Sequence, residues 1–267
     1  FPSGVGYTPN ISVSFNTTKY TGGSAAAIAR ASLINTYGWT ITDGGATAIG
    51  ITDFNFYTAV DLWFTDQSLA ESTYGLIGDW NVSAVTNMAS AFSPNRAGGS
   101  AVNTFNEDIS SWDTSSVTNM SVMFYNSTSF NQPLNWDTGN ITNMVAMFYS
   151  ATSFNQPLNW DVSSVTTMQQ MFLGATSFNQ PLNWDVSSVT TMFQTFVNVN
   201  FSTVNYDLIL VYWEAYLQTA FPIGAGYTQN ISVSFGNTKY TGGSASELAR
   251  SLLISEFGWT ITDGGLV

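Results

Sequence analysis

Trp112, Trp136, Trp160 and Trp184 recur at an interval of 24 residues, and Met120, Met144, Met168 and Met192 keep the same beat, as do Phe124, Phe148, Phe172 and Phe196. A fixed period of roughly 20–50 residues builds coils in which each repeat stacks on the next. The predicted fold class is an α/β repeat, a leucine-rich-repeat-like solenoid with short parallel strands, helical turns and capping helices. The near-translational symmetry also speaks against catalysis, because an active site is asymmetric. The expectation is that this chain is not an enzyme.

A second, longer period lies over the first. Phe1–Gly45 returns as Phe221–Gly265 at a constant offset of 220, with 32 identities in 45 positions. The predicted organisation is a closing coil of strand, helix and strand over 1–50, a capping helix within 51–79 and regular coils over 80–199. A helix over 200–220 follows, and 221–267 is a second copy of 1–47 that opens the next 220-residue unit. The chain reads as a piece of a longer tandem array, with neighbouring units of the same protein as its first expected partners. A single internal duplication would give the same pattern.

Composition narrows the function classes. Only 8% of the residues are charged and the net charge is −12. A nucleic-acid partner would need a basic footprint, so none is expected. Cysteine and histidine are both absent, which removes thiolate metal sites, disulfides and the commonest acid–base side chain. No apolar run reaches the ~18 residues of a membrane span. The scarcity of charge and thiol and the wealth of Asn, Ser and Thr fit an extracellular or cell-surface protein.

Local patterns place the elements. Residues 11–15 alternate as a strand. Ser24 is the expected N-cap of a helix with an apolar stripe at Ala25, Ile28, Ala29 and Leu33, and Gly38 is its expected C-cap. Thr52 or Asp53 is the expected cap of a helix whose apolar face is Phe56, Ala59, Val60, Trp63 and Phe64, laid over the open end of the coils. The insert at 93–104 should protrude as a loop. Within a coil, Leu158 and Trp160 share the inward face of a strand while Asn159 and Asp161 point out. Pro157 suits the strand entrance, and Met168, Met171 and Phe172 form one face of a helical turn. One coil buries too few apolar side chains to offset the entropy of ordering it, so coils must come in rows.

The run TSFNQPLNWDVSSVTTM, followed two residues later by MF, resembles the BspA-like leucine-rich-repeat surface proteins common in Bacteroidota. TAVDLWFTDQSLAESTYGLIGDW resembles the lead-in to their coils, and YDLILVYWEAYLQ with ISVSF and GWTITDGG resembles their closing coil. The NW pairs here are one residue shorter than the NNW often seen in that family. The resemblance implies an exported surface protein used in adhesion or binding, often delivered by type IX secretion. It implies no catalytic residues.

Among candidate sites, the column Asp113, Asp137, Asp161 and Asp185 is the sharpest. Stacking would set the carboxylates roughly 4.8 Å apart, where each pair repels by about 0.9 kcal/mol in water and ~3.5 kcal/mol at an effective dielectric of 20. Calcium can offset this through oxygen ligation, and so can backbone N–H groups in Asx turns. The ladder is therefore a candidate cation site with calcium as its only candidate cofactor, set against a purely structural reading. The column Asn106, Asn131, Asn155 and Asn179 reads as a glycan strip or as side chains satisfying backbone groups up the stack. Glu107 with Asp108, or Asp53 with Asp61, could in principle form a glycosidase acid pair, although carboxylates are expected on an acidic surface. Three functions stay open in descending order: a structural or adhesive module of a tandem surface protein, a module binding a surface glycan or a host or cell-surface protein, and a polysaccharide-acting enzyme.

Overall fold

The computed structural model describes residues 12–15, 20–21, 29–30, 32–34, 39–42, 46–47, 50–96, 98–222 and 225–267. No helix among these residues is long and apolar enough to cross a membrane. Near the N-terminus, β1 (Ser12–Ser14) pairs in parallel with β3 (Thr40–Thr42), and β2 (Tyr20–Thr21) with β4 (Ala46–Thr47). Ala29 and Leu33 lie in helical residues, whereas Ser24, Ala25, Ile28 and Gly38 fall outside the described residues.

From residue 80 to 199 the chain winds in coils joined by single parallel bridges, Asn87 to Asn119 to Asn143 to Thr167 to Thr191. The backbone amides divide into two sets. Met120, Val122, Phe124 and Asn126 donate to the carbonyls of Asn143, Val145, Met147 and Tyr149 in the next coil, at 2.7–3.0 Å. The intervening Met123, Tyr125 and Ser127 donate three residues back, to Met120, Val122 and Phe124. Two left-handed residues per coil make this possible: Val122 and Asn126 (φ 61° and 57°), Ala146 and Ser150 (52° and 53°), Gln170 and Gly174 (58° and 74°).

This geometry revises two local expectations. The stretch from Met168 to Phe172 is a string of tight turns with left-handed Gln170 inside it, not a helical turn. Three-residue turns nearly match the helical period, so the spacing still buries Met168, Met171 and Phe172 completely. Leu158 and Trp160 are buried and Asn159 and Asp161 exposed, as alternation requires, yet the segment pairs with no neighbouring strand. Side chains make the contact there. The indole N–H groups of Trp136, Trp160 and Trp184 donate to the carbonyls of Ile109, Leu134 and Leu158 in the preceding coil.

The core is a set of aromatic columns. Trp80, Trp112, Trp136, Trp160 and Trp184 stack with centroids 6.1–6.5 Å apart and planes within 10°. Phe92, Phe124, Phe148, Phe172 and Phe196 form a tighter column at 5.4–5.7 Å. Phe105, Phe130, Phe154 and Phe178 run beside it. Offset stacks of this kind contribute about 0.5–1.5 kcal/mol per pair beyond burial.

At the first end, α1 (Phe56–Thr65) and α2 (Gln67–Tyr74) lie on the opening coil. Phe56 meets the Trp112 edge and Trp63 the Trp80 edge. Neither Thr52 nor Asp53 caps α1; the cap position is Asn55, whose side chain instead accepts from the Thr52 N–H. The described residues of the insert pack on α1 rather than protruding. They include a 3-10 turn over Gly99–Thr104 with Val102 buried, and Arg96 forms a two-pronged ion pair with Asp61 of α1. Gly98 permits this approach, since a Cβ there would lie 2.8 Å from the Phe64 Cβ.

At the far end, α3 (Thr203–Ala220) starts at Ser202, whose hydroxyl accepts from the Asn205 N–H. It is followed by β5 (Ser232–Ser234), α4 (Ala245–Ser255) and β6 (Thr260–Thr262), with β5 and β6 parallel and Ser232 opposite Thr260. That register repeats the pairing of Ser12 with Thr40 at the 220 offset. Phe235 then lies on Phe196 at 5.1 Å and 11°, ending the phenylalanine column.

Stacking of interchangeable coils predicts that removing residues 137–160 joins Trp136 to Asp161 without breaking any column. The shortened chain should unfold in one cooperative urea transition with an m-value about a tenth smaller, since m follows the surface exposed. Removing only residues 137–148 should abolish that transition.

Candidate functional site

The acidic column stands along one outer edge, with Asp113, Asp137 and Asp161 exposed and Asp185 half-buried. Each carboxylate closes an Asx turn. Asp113 accepts from the N–H and hydroxyl of Ser115 at 3.1 and 2.6 Å, and Asp161 from those of Ser163 at 3.0 and 2.6 Å. Asp137 accepts from the Gly139 N–H and Asp185 from the Ser187 N–H. Gly139 stands where the other coils have serine, so Asp137 lacks the hydroxyl donor. A Cβ there would lie 3.5 Å from Asp161 Oδ2 and 3.6 Å from Asp137 Oδ1. Among the described residues no three acidic side chains converge on a common point. The Ser115 hydroxyl and N–H hold the Asp113 carboxyl below the usual aspartate value, and Ser163 does the same for Asp161.

The asparagine column performs a different task. Asn106 Oδ1 accepts from the Asn131 N–H, Asn131 Oδ1 from the Asn155 N–H, and Asn155 Oδ1 from the Asn179 N–H, all at 2.8–2.9 Å. Gln156 and Gln180 reach back with their Nε2 groups to the same asparagine's carbonyl and Oδ1, while Gln132 reaches the Asn106 carbonyl. At the last coil Ser202 N–H and Asn205 Nδ2 take these two places on Asn179. The start of α3 thus imitates the bend of one more coil. The glutamines were not anticipated, although Gln132, Gln156 and Gln180 recur beside the asparagines at the same interval.

The carboxylate pairs considered for glycosidase chemistry are not assembled as such. Asp61 is held by Arg96, whose guanidinium also covers the Tyr57 ring at 4.3 Å. Asp53 accepts from the Thr86 N–H and hydroxyl at 2.7 and 2.6 Å and from the Asn87 N–H. Partial burial opposes ionisation of Asp53, and the donors of Thr86 and Asn87 together outweigh it, so its carboxyl lies below the ordinary value. Asp108 is lowered by the side chain and N–H of Ser110. Glu107 is exposed. Asp53 and Asp108 are thus displaced away from the raised value a general acid would require.

Asp207 repeats the Asp53 arrangement at the other end, accepting from the Thr241 N–H and hydroxyl at 3.0 and 2.6 Å. Beside it, Asp263 is gripped by Arg250 and receives the Tyr206 hydroxyl at 2.6 Å. Burial and the neighbouring carboxylate push the Tyr206 hydroxyl well above the ordinary tyrosine range. Asp53, Asp113, Asp161, Asp207 and the asparagine column therefore serve the backbone, and Asp61 and Asp263 the joints between elements.

A family model described as "Mycoplasma protein of unknown function, DUF285" matches residues 61–135 and again 134–213, more than half of the chain. The chain belongs to the DUF285 family. The two DUF285 matches meet at Leu134–Asn135, within the regular coils; the first begins inside α1 and takes in α2, and the second ends inside α3. DUF285 is thus present here as a repeat, and both copies of the closing segment lie outside the matched residues. No curated protein and no solved structure matches the chain.

Replacing Asn155 by leucine leaves the Asn179 N–H without its acceptor and takes one of two acceptors from the Gln180 amide, which keeps the Asn155 carbonyl. A loss of about 1–3 kcal/mol is expected in the urea-derived stability, and Asn159→Leu, on an outward position of the same coil, should change it by less than about 0.5 kcal/mol. The lowered carboxyls at Asp53, Asp108, Asp113 and Asp161 also fix a pH dependence. Their contribution is complete above the unfolded aspartate value and is lost as pH falls through the lower folded values. The urea midpoint should drop on acidification below about pH 4, and less steeply in an Asp53→Asn, Asp161→Asn double variant.

Proposed function

We propose that this chain is a non-catalytic structural and adhesive module of an extracellular, cell-surface tandem-repeat protein, built as a leucine-rich-repeat-like solenoid. The observation that carries this reading is the use of polar groups. The acidic column closes turns, the asparagine column satisfies amides, and the interior is a continuous aromatic stack. Outward positions such as Asn135, Asn159 and Asn183 are as uniform as the core. A monotonous face suits a spacer, or adhesion to a monotonous surface, better than a shaped substrate site. The DUF285 match supports the repeat-protein part of this reading. The BspA-like resemblance of the coil motif supports its surface and adhesive part.

The experiment is a series of concatemers with one, two and four 220-residue units, imaged by negative stain. Rods that lengthen by a constant increment per added unit are the expected result. Beads separated by variable gaps would overturn the continuous-module reading.

A further inference from the structure

The two copies of the closing segment share their sequence but not their surroundings. In the second copy the inward face is sealed: Phe235 and Leu253 are fully buried, Val233 is 2% exposed and Ala249 3%. Their counterparts 220 residues earlier are Phe15, Leu33, Val13 and Ala29, the same residue types. Phe15 is 54% exposed, Ala29 is exposed, and Val13 and Leu33 are only half-buried. The internal frame is nonetheless the same. Ser12 faces Thr40 as Ser232 faces Thr260, and the Arg30 guanidinium donates to the Ile41 carbonyl as Arg250 does to Ile261.

What differs is the seat. The second copy rests on the end of the coils. Phe235 covers Phe196 and touches Tyr206 and Trp213, and Trp259 packs on Trp213 at 5.8 Å. The joint is fixed by polar contacts from α3: Tyr206 to Asp263, Asp207 to Thr241, and Gln218 to Glu256. Among the described residues there is one such coil end, and residues 225–267 occupy it.

We propose that the open face formed by Val13, Phe15, Ala29 and Leu33 is a docking surface for the coil end of a second copy, the surface that Phe196, Tyr206 and Trp213 present to Phe235 here. The proposal rests on the module reading and deepens it. The folded unit then runs from about residue 51 to the end of a closing segment, out of phase with the 220-residue sequence period, and each closing segment completes the unit before it. The occupant is committed by continuity with the interface already present in this chain: same residues, same frame, a known seat.

The test uses the full chain. In the native protein the tethered second copy holds the seat at an effective concentration of about millimolar, so sedimentation velocity at ~20 µM should show a monomer. Phe235→Asp puts a charge on the phenylalanine column and vacates the seat. The first copy of another molecule should then fill it, giving head-to-tail species of at least twice the monomer mass. Adding Phe15→Asp to that variant should return the monomer. Leu253→Asp, which unseats α4 instead, provides an independent route to the same vacancy. A Phe235→Asp chain that stays monomeric with its tryptophan emission still blue-shifted would overturn the proposal. So would association that persists in the Phe15→Asp, Phe235→Asp chain, or loss of the coils in both single variants without recovery at high concentration. A monomeric result removes the docking surface but leaves constant rod increments possible, whereas beaded concatemers remove the module reading itself, so the two failures are separable.

Discussion

Every other feature of the molecule depends on how the amides of one coil are shared with the next. Met120, Val122, Phe124 and Asn126 bond forward, and the residues between them bond back within the coil. No backbone N–H from Met120 to Ser127 is left for water, and the pattern carries over to the longer first coil, where Met88, Ser90 and Phe92 donate to Asn119, Ser121 and Met123. The register fixed in this way is what brings each tryptophan over the last and each Asn Oδ1 under the next backbone N–H. It has a local cost. Non-glycine residues such as Val122 and Ala146 sit at positive φ, a conformation that costs roughly 1–2 kcal/mol apiece. Each such residue places two flanking amides for net hydrogen bonds of about 1 kcal/mol each, so the cost and gain are of similar size. The balance tips through the aromatic columns.

Much of this was legible in the sequence because burial follows spacing. The inward positions at Leu158, Trp160, Met168 and Phe172 follow from intervals of two, three and four whatever the backbone does between them. The asparagine and aspartate columns were visible for the same reason. The backbone conformation was not legible, because a left-handed residue announces itself through glycine, and here the positions are held by Val122, Ala146, Gln170 and Gln194. The insert was misjudged because its glycines and serines read as exposed loop. The partnership of Arg96 with Asp61, 35 residues apart, and the approach of Gly98 to Phe64 draw it onto α1. The Asp53 and Asp207 contacts were missed because a capping role close in sequence competes with a partner more than 30 residues away.

Charge plays an unusual part here. With 5 basic and 17 acidic residues, the carboxylates cannot be neutralised by ion pairs, and the described ones draw mainly on uncharged donors. Hydroxyls and amides two residues away satisfy Asp113 and Asp161, and a threonine on a neighbouring segment satisfies Asp53 and Asp207. Such short bonds to ionised acceptors are stronger than neutral ones and leave the outer edges uniformly acidic. The column of Asp113, Asp137 and Asp161 along one edge repels copies of itself laterally.

The forward direction of the asparagine column has one more consequence. Every Oδ1 looks toward the next coil and receives its N–H, so the stack has a front and a back that differ chemically. Continuing the column from one copy into another therefore requires a front to meet a back, because two fronts would set acceptor against acceptor. A junction that keeps the column going is in that sense heterologous, and a heterologous contact whose rotation does not close propagates as an open filament.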